Sequence, residues 1–135
     1  MAWATPKTDW APGDRFNVTD YNRIKNNLAY LHDLGTELYP SFSIEDMGAD
    51  KDVTGHYFAS EFNALENNLN AINSGTYPRE YGEGQTFADN GPFIGYAELN
   101  RLEAAVLGIY NTLTSQKNGV NKLAITLGIK TIGGI

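Results

Sequence analysis

A chain of 135 residues, 41% hydrophobic and 19% charged, has the composition of one ordinary globular domain, which excludes a disordered or collagenous chain. Its net charge of -6 and sequence pI near 4.7 argue against a nucleic-acid partner, since that affinity rests largely on Lys and Arg neutralising phosphates. With no cysteine there is neither a disulfide framework nor thiolate chemistry, and no apolar run approaches the ~18 residues of a bilayer span, so the expectation is a chain made and folded in a cytosol without a membrane partner.

Residues 1–16 hold both tryptophans, Trp3 and Trp10, among Pro6, Pro12 and Gly13, and read as an extended N-terminal arm. The arm's aromatic residues need somewhere to bury. Trp10 and Phe16 can fold back on the chain's own helices, or the arm can dock on a neighbouring subunit, with Trp3 and Trp10 as candidate assembly-interface residues. A first helix is expected over about 17–35. Asn17 and Asp20 are spaced as reciprocal caps, Phe16 and Tyr21 as a hydrophobic staple, and Gly35 as a left-handed stop. The connector from Thr36 to His56 carries Glu45, Asp46, Asp50 and Asp52 and exceeds the roughly 2 to 8 residues usual between bundle helices, which suggests a working loop. A second helix is expected over 58–74. A second connector, Thr76 to Phe93, is rich in Gly and Tyr, and a third helix follows over 95–117, giving way near Lys117-Asn118-Gly119.

The three helices repeat one grammar: an acid, an apolar residue, an Asn, then apolar residues stepping 3, 4, 3. The stripes are Tyr21, Ile24, Leu28, Leu31; Phe62, Leu65, Leu69, Ile72; and Leu99, Leu102, Val106, Ile109. They predict the core of a mainly α, three-helix bundle occupying 17–118, packed near-antiparallel. Asn22, Asn63 and Asn100 recur just off the stripe, where an amide can bridge to an adjoining loop or simply face solvent. After the bundle the grammar changes. Leu123, Ile125, Leu127 and Ile129 alternate with other residues, which predicts a C-terminal β-strand arm over 119–135 that pairs with another chain, with Ile132 extending the contact.

Chemistry is sparse. Asp50-x-Asp52-x-Thr54-Gly55-x5-Glu61 fits a calcium-loop pattern, yet no amphipathic helix precedes it, and Glu61 already has a place in the repeat, so no metal is expected. His32 is placed on the solvated flank of the first helix, and neither it nor His56 stands beside a recognisable nucleophile. Gly82-Glu83-Gly84 follows no strand and puts a carboxylate where a phosphate would lie. Paired carboxylates for glycoside hydrolysis stay open, because their spacing is set in three dimensions. The expectation is no enzyme and no cofactor.

The runs Thr5-Pro6-Lys7-Thr8-Asp9-Trp10, Gly13-Asp14-Arg15-Phe16-Asn17 and Asp20-Tyr21-Asn22-Arg23-Ile24-Lys25-Asn26-Asn27-Leu28 resemble a segment of small virion proteins of tailed bacteriophages that infect Gram-positive bacteria. The other two repeats match in outline. The resemblance implies a non-enzymatic tail, baseplate or appendage subunit, made in the host cytoplasm and resident in the virion, whose partners are other virion proteins and copies of itself. The alternative is a carbohydrate-binding module that recognises the host cell wall through loop Tyr and Trp residues.

Overall fold

The computed structural model describes residues 3–91 and 93–126. Among these the regular structure is three α-helices, α1 (Val18–Leu38), α2 (Ala59–Gly75) and α3 (Tyr96–Thr126), packed against one another, with no strand. All twelve stripe residues are buried, joined in one core by Trp10, Leu34, Ile94, Ala105 and Leu113. Each stripe covers one side of its helix, so burial against the other two stabilises all three together. The acids hold the helix starts: the N–H of Asn17 donates to Asp20 at 2.8 Å and that of Phe58 to Glu61 at 2.9 Å.

The helices run parallel, not near-antiparallel. Their starts meet at one end, where the Tyr21 and Phe62 rings lie 6.2 Å apart and those of Phe62 and Phe93 5.2 Å. Farther along, Arg23 of α1 reaches Glu103 of α3, and Arg101 of α3 reaches Glu66 of α2, each pair joining equivalent levels. The connectors make this possible. Between Leu38 and Ala59, and again between Gly75 and Tyr96, 20 residues intervene. Extended chain advances about 3.3 Å per residue, whereas a 17-residue helix is only about 26 Å long, so each connector can return to the starting end.

Two helix ends differ from expectation. α1 passes through Gly35 and closes with the Tyr39 N–H on the Gly35 carbonyl, Tyr39 itself being extended. Gly35 serves close approach instead of a left-handed turn: an added Cβ would sit 2.7 Å from Cγ2 of Thr76 and 3.1 Å from the Phe42 ring. α3 continues through Lys117-Asn118-Gly119 to Thr126, so the expected strand is helix over 121–126. The reason is periodic. Leu113, Gln116, Val120 and Leu123 carry the 3-4 spacing onward, and the cost of about 1 kcal/mol for an interior glycine does not stop a helix already packed over several turns. Leu123 is exposed on that helix and Ile125 lies within it, while Leu127, Ile129 and Ile132 fall outside the described residues.

The N-terminal arm folds back on its own bundle. Trp10 is 4% exposed, which removes it as a subunit contact, and Trp3 stacks on Tyr110 with ring centres 3.9 Å apart and planes 6° from parallel. Leu28→Ala and Leu69→Ala should each destabilise the chain by about 2 to 5 kcal/mol in urea melts, and Val106→Ala should destabilise it too. Unchanged melts for all three would contradict the shared core.

Candidate functional site

Each repeat Asn grips one backbone residue at both of its polar groups. Asn22 donates to the Lys51 carbonyl at 2.8 Å and accepts from its N–H at 2.9 Å. Asn63 does the same to Phe87, at 2.9 and 2.8 Å, and Asn100 to Trp10, at 2.9 and 2.7 Å. A primary amide offers one acceptor and two donors, so it mimics the edge of a neighbouring strand. The gripped residues lie 10 or 11 positions ahead of Asp20, Glu61 and Glu98. Thus α1 holds the segment leading into α2, α2 the segment into α3, and α3 the segment into α1.

A second tier repeats the device. Asn27 grips Ala4 and Asn68 grips Glu45, each amide seven residues after its start acid, while α3 has Ala105 there. A tight turn follows every first-tier residue: Asp14 N–H to the Ala11 carbonyl, Gly55 to Asp52 and Gly91 to Ala88, at 3.1, 2.9 and 2.9 Å. Then come Phe16, Tyr57 and Ile94, four residues before each acid, and the helix. The described residues therefore form three copies of one unit, an extended lead followed by a helix. The long connectors are the leads of the second and third units and not separate working loops.

The charged groups follow the same cycle. Arg23, three residues after its acid, places Nε and Nη2 2.8 Å from the two oxygens of Glu103, five residues after its own acid. Glu103 is only 1% exposed, and it also accepts from Trp10 Nε1 at 2.6 Å and from the Lys7 N–H at 3.1 Å. That many donors is what makes a buried carboxylate tolerable. Arg101 reaches Glu66 through Nη2 alone, its Nε turning to Glu98, and Glu66 Oε2 is buried without a partner. Phe87 stands where the first unit has Trp10, and its ring has no indole N–H to give. In the second unit Ala64 replaces the arginine. Lys25 at the facing position turns to the Gly48 carbonyl and to Asp50, at 2.8 and 2.7 Å.

The calcium-pattern residues do not converge. Asp50 pairs with Lys25 and Asn26, and Asp52 accepts from the N–H and hydroxyl of Thr54. Glu61 caps Phe58 and meets Lys51 and the Tyr21 hydroxyl. Hydrogen bonding from Lys25 lowers the Asp50 pKa, and the Thr54 hydroxyl lowers that of Asp52. Burial, with Glu61 beside it, pushes the Tyr21 hydroxyl above its ordinary range. Among the described residues no three His, Asp or Glu side chains are grouped to hold a metal ion. His32 is not on a solvated flank, since its Nε2 is 2.7 Å from the Phe42 carbonyl and it helps fix the second lead.

Three exposed aromatic rings lie at the end where the helices start. Phe58, Phe93 and Tyr96 are 58%, 54% and 48% exposed. A cleft of about 450 Å³ lies between the 88–91 turn and the start of α2, and one of about 290 Å³ between the 11–14 turn and the start of α3. Sequence reasoning looked to the tryptophans for exposed rings and missed these. Alignment of the repeats holds the signal, since Phe58 occupies the position of Asn17 and Gly95, where helix starts favour polar residues or glycine. No helix among the described residues is long and apolar enough to cross a membrane. No family model, curated protein or solved structure matches the chain.

Asn22→Ala, Asn63→Ala and Asn100→Ala each strip partners from a packed backbone residue and should destabilise the chain by about 1 to 3 kcal/mol in denaturant melts. Exposed Asn118→Ala should stay within about 0.5 kcal/mol. Equal effects at all four positions would contradict the grip. Since the loop carboxylates are turned to protein donors, EDTA should leave Tm in place, and a large fall on chelation would restore the Asp50 to Glu61 stretch as a metal site.

Proposed function

We propose that the chain is a non-enzymatic structural subunit of a tailed-phage virion, in the tail, baseplate or an appendage, acting through contacts with other virion proteins and with copies of itself. The observation that carries this reading is the stretch from Thr5 to Leu28, whose residues resemble virion proteins of that kind. Two structural features support it. The amide grips fix the extended leads to the bundle, as a subunit held rigidly between neighbours requires. Three polar side chains that could do chemistry are also engaged with their own chain: Glu103 with Arg23 and Trp10, Glu61 with Lys51, and His32 with the Phe42 carbonyl.

The assembly contact is assigned to the far end of α3, as a helix and not as an added strand. α1 stops at Leu38 and α2 at Gly75, but α3 runs on to Thr126 with Val120 and Leu123 exposed. A cleft of about 380 Å³ beside them is lined by Leu38, Tyr39 and Gln116. Apolar side chains there gain on the order of 1.5 to 3 kcal/mol each when a neighbour fully covers them.

Two experiments test the reading. Mass spectrometry of gradient-purified particles of the encoding phage should find the 14.8 kDa chain as a multicopy component, and its presence in the lysate but absence from particles would overturn the proposal. Deleting residues 120–135 should leave a helical bundle that melts cooperatively yet no longer enters particles. Normal incorporation of the truncated chain would remove α3 as the contact.

A further inference from the structure

The three units act as an internal comparison, because a position that tolerates different residues in different units is one the fold does not dictate. The third residue before each start acid is Asn17, Phe58 or Gly95, and the fifth is Arg15, His56 or Phe93. Neither position therefore needs an aromatic residue in every unit, and although one side of the Phe93 ring packs against Phe16, Tyr57 and Phe62, Phe58 and Phe93 both lie more than half exposed. Large exposed rings carry a solubility cost, and where they gather around a cleft they mark a binding surface.

The two clefts are the same place in successive units. Each lies between the turn of one lead and the start of the preceding helix in the cycle, and Phe93 lines both. Phe58 bounds the larger and Tyr96 the smaller. In the second unit the counterpart of Trp10 and Phe87 is Lys51, whose ammonium lies 5.2 Å from the centre of the Tyr21 ring and 5.8 Å from that of Phe58, which leaves Phe58 its other face. The turns differ too. Asp14 accepts from the Ala11 N–H and Asp52 from the Thr54 N–H, so those carboxylates are spent on closing their turns. The 88–91 turn instead presents Asp89 and Asn90 at its apex beside the larger cleft, Asn90 in the left-handed conformation at φ 63°.

We propose that this end of the bundle binds a linear oligosaccharide, with Phe58, Phe93 and Tyr96 offering faces to successive sugar rings and Asp89 and Asn90 taking hydroxyl hydrogen bonds. Aromatic walls with a few placed polar groups are the make-up of a ligand cleft. Sugar rings suit them because C–H edges lie on aromatic faces while hydroxyls reach outward to a carboxylate and an amide. Two clefts sharing one ring wall suit a ligand with repeating units better than a single protein side chain. The inference adds a ligand to a surface given no role above, and it holds wherever in a virion the chain sits.

The test uses the full ¹⁵N-labelled chain, titrated with linear tetrasaccharides of glucose, galactose, rhamnose and N-acetylglucosamine at up to millimolar concentration. At least one should shift the amides of 57–62 and 87–96 saturably. Phe58→Asn with Phe93→His, which installs residues the other units carry at those positions, should raise Kd at least about tenfold in a chain whose ¹⁵N spectrum stays that of the folded bundle. Asp89→Ala with Asn90→Ala, on the exposed turn, should weaken binding independently if the first pair perturbs folding. Cleft amides that ignore all four saccharides, a Kd indifferent to both pairs, or shifts produced only by a neighbouring virion protein would each overturn the proposal.

Discussion

One side-chain amide closing on both polar groups of one backbone residue is the interaction on which the rest of this structure depends. Extended chain outside a sheet has no ladder to satisfy its N–H and C=O groups, and leaving them unpaired against a core is costly. Asn22, Asn63 and Asn100 supply the ladder one rung at a time, from the surface of a helix. Asn27 and Asn68 add a second rung for the first two leads. With both rungs in place the lead lies along the bundle and delivers Phe16 or Tyr57 to the common aromatic end, where the Phe16 and Tyr57 rings stand 5.5 Å apart.

Parallel helices follow from the same constraint. A bundle whose helices all start at one end needs returning chain, and returning chain is stable only where something grips it along the way. The grips of Asn22, Asn63 and Asn100 pass from each helix to the next lead, while Asn27 and Asn68 hold the leads of their own helices. The first tier therefore closes the units into a cycle that no one unit can complete alone. Repeat proteins generally need neighbouring units to cover each other's faces. Here the last unit covers the first. The copies then diverge where the shared architecture leaves room. Glu103 has its indole donor and Glu66 does not, because Trp10 and Phe87 occupy equivalent places. Arg23 and Arg101 have partners across the bundle, while the second unit does without the pair and Lys25 turns to its lead.

The helices were legible because a stripe stepping 3, 4, 3 depends on local spacing alone, and three stripes of one grammar imply one core. Helix direction was not legible, since a connector's length permits a return path but does not require one. The asparagines stood out as a recurring position, yet their partners lie 23 to 90 residues away in the chain, beyond the reach of local pattern. Alternation at Leu123 and Ile125 suggested a strand. The competing 3-4 spacing through Leu113, Val120 and Leu123 prevailed because it continued a helix already formed. The exposed rings at Phe58 and Phe93 became significant only once the leads were aligned as parts of the units, which the helix stripes alone did not reveal.

Native-state hydrogen exchange tests the central claim, that the leads are gripped parts of a three-unit cycle and not loops draped over a helical core. The amide protons of Trp10, Lys51 and Phe87 each donate to an asparagine, and no helix or strand ladder protects them. If the grips hold as described, these three should exchange with opening free energies close to those of the core residues Leu28, Leu69 and Val106. Exchange of all three at unprotected rates, while the helices stay protected, would contradict the account.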